Sequence, residues 1–439
     1  MSSVDARELA LEVLHSWQGG KRFADHVLED AFGANALDRR DRAFTQELVY
    51  GVLRHKRELD ALIDESLDRG PAGLRPALRN ILRLALYQMR HLDRVPHRAA
   101  VHSAVAQVHS RRGGSRQAGF VNGLLRRIAR ESRQPRRPQE LVTALGLEYS
   151  HPDWLVERWL QRWGQEVVEK LLRWHNRPPS VCLAPNPGRL SEGLAELMAG
   201  AGIHAESVPW LPNHVQVRGV GRLNELPGFA SGGFFVQDTT AALLIRAVRR
   251  PPGPALDVCA APGGKAIALA LAGPPDSPVW ALDRSWSRLM RLCANRERLG
   301  LSAIRVVAAD ARAIPAVGLC PLVVADVPCS GTGVVQRRVD LRWRLKPADL
   351  VQLPPLQSEI LESAAQRVCA GGTLLYSTCS IEADENEEVV TAFIGRNPEF
   401  RVRRPEPAPL VERFDGTGAT VMPGELGGDG GFVAVLERS

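Results

Sequence analysis

Apolar residues recur every three or four positions through the first part of the chain, which is the spacing of one face of an α-helix. Two such sets are Ala6, Leu9, Ala10, Val13, Leu14 and Trp17, and Ala77, Leu78, Ile81, Leu82, Ala85 and Met89. No alternating strand pattern appears before Arg133. The pattern therefore predicts an all-helical domain over residues 1–138, which ends in the proline-rich linker "ESRQPRRPQE".

A small mixed segment follows at residues 139–233. It contains three short runs typical of strands, "SVCLAPN", "IHAESVPW" and "HVQVRGV". Between the first two lies "SEGLAELMAG", which has the spacing of a helix. These runs predict a small α/β linker subdomain.

From Phe234 to the end of the chain, apolar runs of strand length alternate with helical stretches. The runs are "ALDV" (255–258), "VWALD" (279–283), "IRVVAAD" (304–310), "LVVAD" (322–326) and "TLLYST" (373–378). This alternation predicts a Rossmann-like α/β domain over residues 234–439, with a parallel sheet covered by helices on both faces. Ligands of such sheets bind beyond the carboxyl ends of the strands. Those ends carry Asp257, Asp283, Asp310, Asp326 and Cys379.

The length, net charge and cysteine content of the chain limit the kinds of protein that it can be. A chain of 439 residues is long enough for two or three domains. The net charge of +7 favours an anionic partner, with nucleic acid ahead of a membrane surface. The first ten residues include charges, and no stretch approaches the roughly 20 apolar residues that a membrane span needs, so we expect a cytoplasmic protein. The odd number of cysteines, 7, without a C-x-x-C pair indicates free thiols and no metal site.

A basic run ends the helical domain. Between Arg111 and Arg137 there are nine arginines and one acid, Glu131. The run is either a solvated helix face with a linker or a surface that contacts phosphates. The candidate phosphate contacts are Arg111, Arg112, Arg116, Arg126 and Arg127.

The segment "LDVCAAPGGKA" (256–266) places a turn with two glycines between a strand and a helix. A Walker A loop is excluded because Cys259 and Ala266 occupy positions that need Gly and Ser or Thr. The dinucleotide fingerprint is also incomplete. An adenosyl cofactor without phosphates fits better, because Asp283 can bridge the ribose hydroxyls and Asp310 can accept from the adenine amino group.

Two further motifs each place one cysteine just past a predicted strand: "DVPCSGTGV" carries Cys329 and "LLYSTCSI" carries Cys379. Such positions suit a nucleophile better than a buried apolar residue. The residues alone do not decide which cysteine attacks.

Together, "CAAPGGK", "DVPCSGTGV" and "LLYSTCSI" resemble the Sun/NOP family of RNA cytosine-5 methyltransferases. The helical region, with "DRAFTQELVYGVLR", "LDRVPHRAAV" and "GFVNGLLRRIAR", resembles the NusB-like extension of the branch that modifies small-subunit ribosomal RNA. The resemblance covers nearly the whole chain and includes the domain order. It implies S-adenosyl-L-methionine as the cofactor and ribosomal RNA as the partner.

The resemblance also implies roles for single residues. Cys379 would be the nucleophile and Cys329 would help the product to depart, the reverse of DNA cytosine-5 methyltransferases, in which the Pro-Cys cysteine attacks. Asp326 would select cytosine. The cofactor would be held by Cys259, Ala260, Ala261, Pro262, Gly263, Gly264, Lys265, Asp283, Asp310 and Asp326.

Lys265 has two interpretations: it orients the RNA base or lowers the pKa of the thiol, or it is an exposed lysine in the first turn of a helix. Three functions stay open as well. The first is cytosine-5 methylation of small-subunit ribosomal RNA, the second is the same reaction on transfer RNA, and the third is RNA binding by a ribosome assembly factor without catalysis.

Overall fold

The computed structural model describes residues 5–18, 20, 22–67, 74–111, 114–131 and 134–439. The chain divides into two compact units, Met1–Arg177 with Gln336–Arg344, and Pro178–Val335 with Leu345–Ser439. Domain limits at 138 and 233 stay predictions. Within the described ranges, no helix has both the length and the apolar character needed to cross a membrane.

The first unit is helical, as the apolar spacing predicted. Its helices are α1 (Ala6–Trp17), α2 (Ala24–Ala34), α3 (Arg39–Arg54), α4 (Lys56–Glu65), α5 (Pro76–His91), α6 (His97–His109), α7 (Gly114–Glu131), α8 (Leu141–Glu148), α9 (Asp153–His175) and α14 (Leu341–Arg344). Asp5 caps α1 by accepting from the Arg7 amide at 2.8 Å. The predicted apolar faces of α1 and α5 meet in one core, to which Leu14 and Leu82 belong.

Residues 336–344 belong to this helical unit although they lie far along the chain. The Asp340 carboxylate accepts from the Trp17 indole at 3.1 Å and from the Ala24 amide at 2.9 Å, which caps the start of α2. Arg342 is fully buried and donates to the Asn176 side chain at 2.8 Å and to the His175 carbonyl at 3.1 Å. The segment is therefore part of the core of the unit.

A small antiparallel sheet opens the second unit, with strand order β2-β3-β1-β4. Its strands are β1 (Val181–Pro185), β2 (Ala205–Ser207), β3 (Val215–Val217) and β4 (Phe234–Val236), and α10 (Leu194–Gly200) lies between β1 and β2 in sequence. The three short strands and the helix predicted for this region are confirmed.

The large sheet has the order β10-β12-β9-β8-β5-β6-β7, and β11 pairs with β12. Its strands are β5 (Ala255–Asp257), β6 (Val279–Asp283), β7 (Ile304–Ala308), β8 (Cys320–Asp326), β9 (Val368–Thr378), β10 (Phe400–Arg403), β11 (Ala419–Val421) and β12 (Gly431–Arg438). The five predicted strands, β5 to β9, are parallel. The sheet as a whole is mixed, because β12 pairs antiparallel with β9, β10 and β11.

Helices cover both faces of this sheet, as the alternation predicted. They are α11 (Thr239–Leu244), α12 (Gly264–Ala272), α13 (Trp286–Leu299), α15 (Pro347–Ala365), α16 (Glu387–Arg396) and α17 (Ala408–Val411). Along β8, Leu322 and Val324 pack into the core that contains α12 and α13, whereas Val323 and Ala325 pack into the core that contains α15 and α16. The expected architecture of helical domain, small α/β part and Rossmann-like domain is confirmed.

Strand β5 ends on a carboxyl group that is fully buried, Asp257. Its Oδ1 accepts from the Cys259 amide at 3.3 Å, and its Oδ2 has no hydrogen-bond partner in the protein. Burial, followed by the Asp326 carboxylate, raises the pKa of Asp257 to about 7. The fold therefore favours the protonated form of this side chain.

This carboxyl group should make stability depend on pH. Between about pH 4 and pH 7 the unfolded chain loses the Asp257 proton while the folded protein keeps it, so stability falls as the pH rises through this window. Asn cannot ionise, so the free energy of unfolding of Asp257→Asn should not show this fall. The difference in unfolding free energy between Asp257→Asn and wild type should therefore grow, in favour of the variant, by on the order of 2 kcal/mol from about pH 5 to about pH 8. Urea unfolding at both pH values measures this gain. The exposed Asp276→Asn is the control, and equal pH profiles for Asp257→Asn and wild type would refute the assignment.

Candidate active site

The two motif cysteines meet at the carboxyl edge of the large sheet. Strands β8 and β9 are parallel neighbours, with Asp326 opposite Ser377, so the loops after both strands begin at the same edge. Cys329 lies in the first loop and Cys379 in the second, and their Sγ atoms are 3.3 Å apart. Cys379 is exposed and Cys329 is partly buried. The structure thus brings together the two thiols that the sequence singled out.

The two thiols differ in their electrostatic surroundings. The contact with Cys379, followed by burial, raises the pKa of Cys329 well above its ordinary value. Cys329 therefore keeps its proton at neutral pH. A thiol that keeps its proton can donate to negative charge on a neighbouring sulfur, which here is that of the exposed Cys379.

A partly buried ion pair lies near the thiols. Lys265, in the first turn of α12, places Nζ 2.7 Å from Oδ2 of Asp326, and Ser377 donates its hydroxyl to Oδ1 of Asp326 at 2.8 Å. Burial lowers the pKa of Lys265, but Asp326 outweighs this effect and the pKa is raised overall. Only 14% of the Lys265 side chain is exposed, so its interpretation as an exposed lysine is wrong.

The turn predicted to hold a cofactor is tied to the two neighbouring strands. The Ala260 amide donates to the Leu282 carbonyl at 2.7 Å, and the Ala261 amide donates to Asp283 Oδ2 at 3.2 Å. Gly263 has a φ of +119°, and a Cβ there would lie 2.5 Å from Cδ1 of Leu292. Only glycine fits this position, which allows the chain to turn sharply into α12.

Arg288, which follows Asp283 closely in sequence, had no role assigned from the sequence beyond a surface position. Its Nη2 donates to the Ala261 carbonyl at 2.5 Å, and its Nη1 lies 3.7 Å from Asp283 Oδ2. Arg288 thereby connects the turn to the acid at the end of β6. Its position five residues after Asp283 was the only signal in the sequence.

The other predicted cofactor residues surround the same turn. Cys259 is partly buried, Ala260 and Ala261 are buried, and Pro262 is exposed. Asp310 lies two residues beyond the end of β7, where Arg312 donates to its two oxygens at 3.1 and 2.7 Å. These hydrogen bonds lower the pKa of Asp310 to about 2. A role for Asp310 at an adenine ring stays a prediction.

The candidate arginines of the first unit fall into two classes. Arg111 donates to Glu8 at 2.9 Å, and Arg127 donates to the Ser66 carbonyl, so both are used within the helical unit. Arg116 and Arg126 are exposed. Arg112 lies outside the described residues. Contact with RNA stays a prediction for all five.

Among the residues described, His55, Glu58 and His91 are close enough to share a metal ion. In the structure, His55 and His91 lie 3.2 and 3.1 Å from Glu58 Oε2, and Arg90 lies 2.9 Å from Oε1. The carboxylate of Glu58 thus already has three partners within the protein. The expectation that the protein holds no metal stays a prediction.

Each part of the chain matches a known family model. Residues 250–437 match the 16S rRNA methyltransferase RsmB/F family, residues 4–130 match the NusB family, and residues 151–222 match the RsmF/B-like ferredoxin-like domain. These three matches follow the order of helical, small α/β and Rossmann-like parts.

Curated relatives match over the full length. The chain is 36% identical to the probable ribosomal RNA small subunit methyltransferase B of Synechocystis sp., over 99% of this chain and 100% of that protein. It is 34% identical to the protein of the same name in Bacillus subtilis, over 100% of both chains.

Solved structures share the fold. The crystal structure of PH0851 has a TM-score of 0.83 and 25% identity, and the match covers 100% of both chains. A methyltransferase homolog protein from Pyrococcus horikoshii has a TM-score of 0.58 and 23% identity over 69% of this chain and 100% of that chain. Full-length identity to these relatives and the order of the matched domains show that the chain belongs to the RsmB/F family of 16S ribosomal RNA methyltransferases.

Proposed function

We propose that the protein transfers a methyl group from S-adenosyl-L-methionine to carbon 5 of a cytosine in small-subunit ribosomal RNA, through a transient bond between Cys379 and carbon 6. The observation that carries this proposal is the pair of thiols 3.3 Å apart beside the Lys265–Asp326 ion pair. The names of the relatives, which are small-subunit ribosomal RNA methyltransferases, support the choice of RNA.

The chemistry explains the need for a thiol. Carbon 5 of cytosine is a poor nucleophile, and addition of a thiolate to carbon 6 turns the ring into an enamine that is nucleophilic at carbon 5. After methylation a base removes the proton from carbon 5, and the sulfur–carbon bond breaks to return the thiolate. The net result is one methyl group gained and one proton lost by the RNA.

Cys379 is the better nucleophile of the pair. It is exposed, so a base turned out of the RNA can reach it, and the Cys329 thiol, 3.3 Å away, can donate to its thiolate. The raised pKa of Cys329 keeps that residue protonated, which suits a role in product departure rather than in attack.

Asp326 and Lys265 would hold the base. Each oxygen of the Asp326 carboxylate uses one acceptor site, for Lys265 or for Ser377, and keeps a second that can accept from the amino group of cytosine. Uracil presents a carbonyl where cytosine has its amino group. The pair would therefore select cytosine.

The turn at residues 259–265 fits the cofactor that we propose. Gly263 holds a φ of +119° that side chains rarely adopt, and Asp283, which is nearly buried at the end of β6, has spare acceptor sites for ribose hydroxyls. S-adenosyl-L-methionine, when bound, supplies a methyl group on a sulfonium. Arg288 would keep the turn and Asp283 in place.

Bisulfite sequencing of RNA tests the substrate. In cells that lack the gene, one cytosine of small-subunit ribosomal RNA should lose its protection from conversion. Wild type and the control Cys293→Ala should restore protection, whereas Cys379→Ala should not. Loss of protection in a transfer RNA instead would favour a transfer RNA enzyme, and no change would favour a non-catalytic assembly factor.

A trapped adduct tests the roles of the two thiols. Cys329→Ala should attack carbon 6 but release the product slowly, so a covalent protein–RNA complex should accumulate as a slow band on a denaturing gel. Cys293→Ala should give no such band. If the band appears with Cys379→Ala and not with Cys329→Ala, the two roles are exchanged.

The salt dependence of binding tests the exposed arginines. Each phosphate contact adds roughly 0.7 to 0.9 to the slope of log affinity against log salt concentration. Arg116→Gln with Arg126→Gln should therefore lower the slope for transcribed small-subunit ribosomal RNA by about 1 to 2. Arg98→Gln, another exposed helical arginine, is the control, and an unchanged slope in the double variant would exclude these contacts.

A further inference from the structure

A buried carboxylate, that of Glu385, lies close to the two loops that carry the thiols. The Glu385 side chain is fully buried, and so is that of Ser380; Ser330 is almost fully buried. Ser330 immediately follows Cys329, and Ser380 immediately follows Cys379. The residue that follows each thiol is thus a buried serine.

Both serines bind this one carboxylate. The Ser330 amide donates to Glu385 Oε1 at 2.8 Å, and the Ser330 hydroxyl donates to Oε2. The Ser380 hydroxyl also donates to Oε2, at 2.5 Å. The two loops that carry the thiols are thereby joined to the same group.

A third element completes the set of donors. Gln357, which is fully buried on α15, donates its amide Nε2 to Glu385 Oε1 at 2.9 Å and to the Pro328 carbonyl at 3.0 Å. Pro328 immediately precedes Cys329. The loop is thus held on both sides of Cys329.

We propose that Glu385 is a positioning residue that sets the separation of the Cys329 and Cys379 sulfur atoms by binding Ser330 and Ser380. A buried carboxylate is costly to desolvate unless its hydrogen bonds are satisfied, so the four donors to Glu385 are held in a fixed arrangement. The importance of this separation for methyl transfer rests on the proposed function. The link between Glu385 and the separation itself does not.

Oxidation by diamide measures the separation without RNA or cofactor. Two thiols in contact give up two hydrogen atoms to the azo group of diamide, which forms a disulfide and reduces the reagent to the hydrazine. The Cys329–Cys379 disulfide is identified by peptide mass mapping. In Glu385→Gln, an amide NH₂ replaces one acceptor, and the rate of this disulfide should fall by on the order of tenfold or more.

The electrostatic effect of the same substitution has the opposite sign. The Glu385 carboxylate is one of the groups that raise the pKa of Cys329, after the Cys379 contact and burial. Its removal alone would yield more thiolate and faster oxidation. A slower rate therefore reports displaced thiols.

Two further variants complete the experiment. Glu388→Gln, an exposed residue of α16, makes the same chemical change nearby and should oxidise like wild type. Ser380→Ala removes one hydroxyl and keeps the carboxylate, so it should show a smaller slowing even if Glu385→Gln fails to fold. Circular dichroism and binding of S-adenosyl-L-methionine verify the fold of each variant.

Methyl transfer is measured in parallel. Glu385→Gln should lose kcat on the order of tenfold to a hundredfold with cofactor affinity unchanged. Wild-type diamide rates in folded Glu385→Gln and Ser380→Ala would overturn the positioning role. A wild-type protein that lacks methyl transfer would overturn the proposed function alone, because the diamide rates still decide the role of Glu385.

Discussion

The parallel pairing of β8 with β9 is the constraint on which the site depends. Parallel neighbours end at the same edge of a sheet, so two cysteines that are 50 residues apart in sequence come within 3.3 Å of each other. The loops are then packed backbone against backbone. The Gly333 amide donates to the Cys379 carbonyl at 2.9 Å, and a Cβ on Gly333 would lie 2.5 Å from the Gly430 carbonyl oxygen. No residue larger than glycine leaves room for this approach.

Several acidic side chains lie at this edge of the sheet, and each has a different environment. Asp326 is paired with Lys265, burial raises the pKa of Asp257 to about 7, and Glu385 accepts from neutral donors. Cys329 also keeps its proton. Negative charge that develops on Cys379 therefore lies near the ammonium group of Lys265.

The sequence predicted those site residues whose positions follow from short patterns along the chain. Cys329, Cys379 and Asp326 each follow or end an apolar run, and these positions at strand ends were enough to predict that the three residues lie at one edge of the sheet. Glu385 was missed because it lies in the acidic run "DENEE", which resembles an exposed helix start, and its partner Ser330 is 55 residues away. The pairing of Arg111 with Glu8, 103 residues apart, was hidden for the same reason. Strands β10 to β12 also escaped prediction, because their pairing with β9 is a long-range property.

The segment at residues 336–344 has a consequence for biosynthesis. Asp340 caps α2 and Arg342 fills the interior of the helical unit, so this unit lacks part of its core until residues 178–335 have left the ribosome. A chain truncated after residue 177 would expose the Ala24 amide and leave a void where Arg342 belongs. The N-terminal helices therefore stay incompletely packed until residues 336–344 have been synthesised. The helical unit is synthesised first but cannot complete its core first.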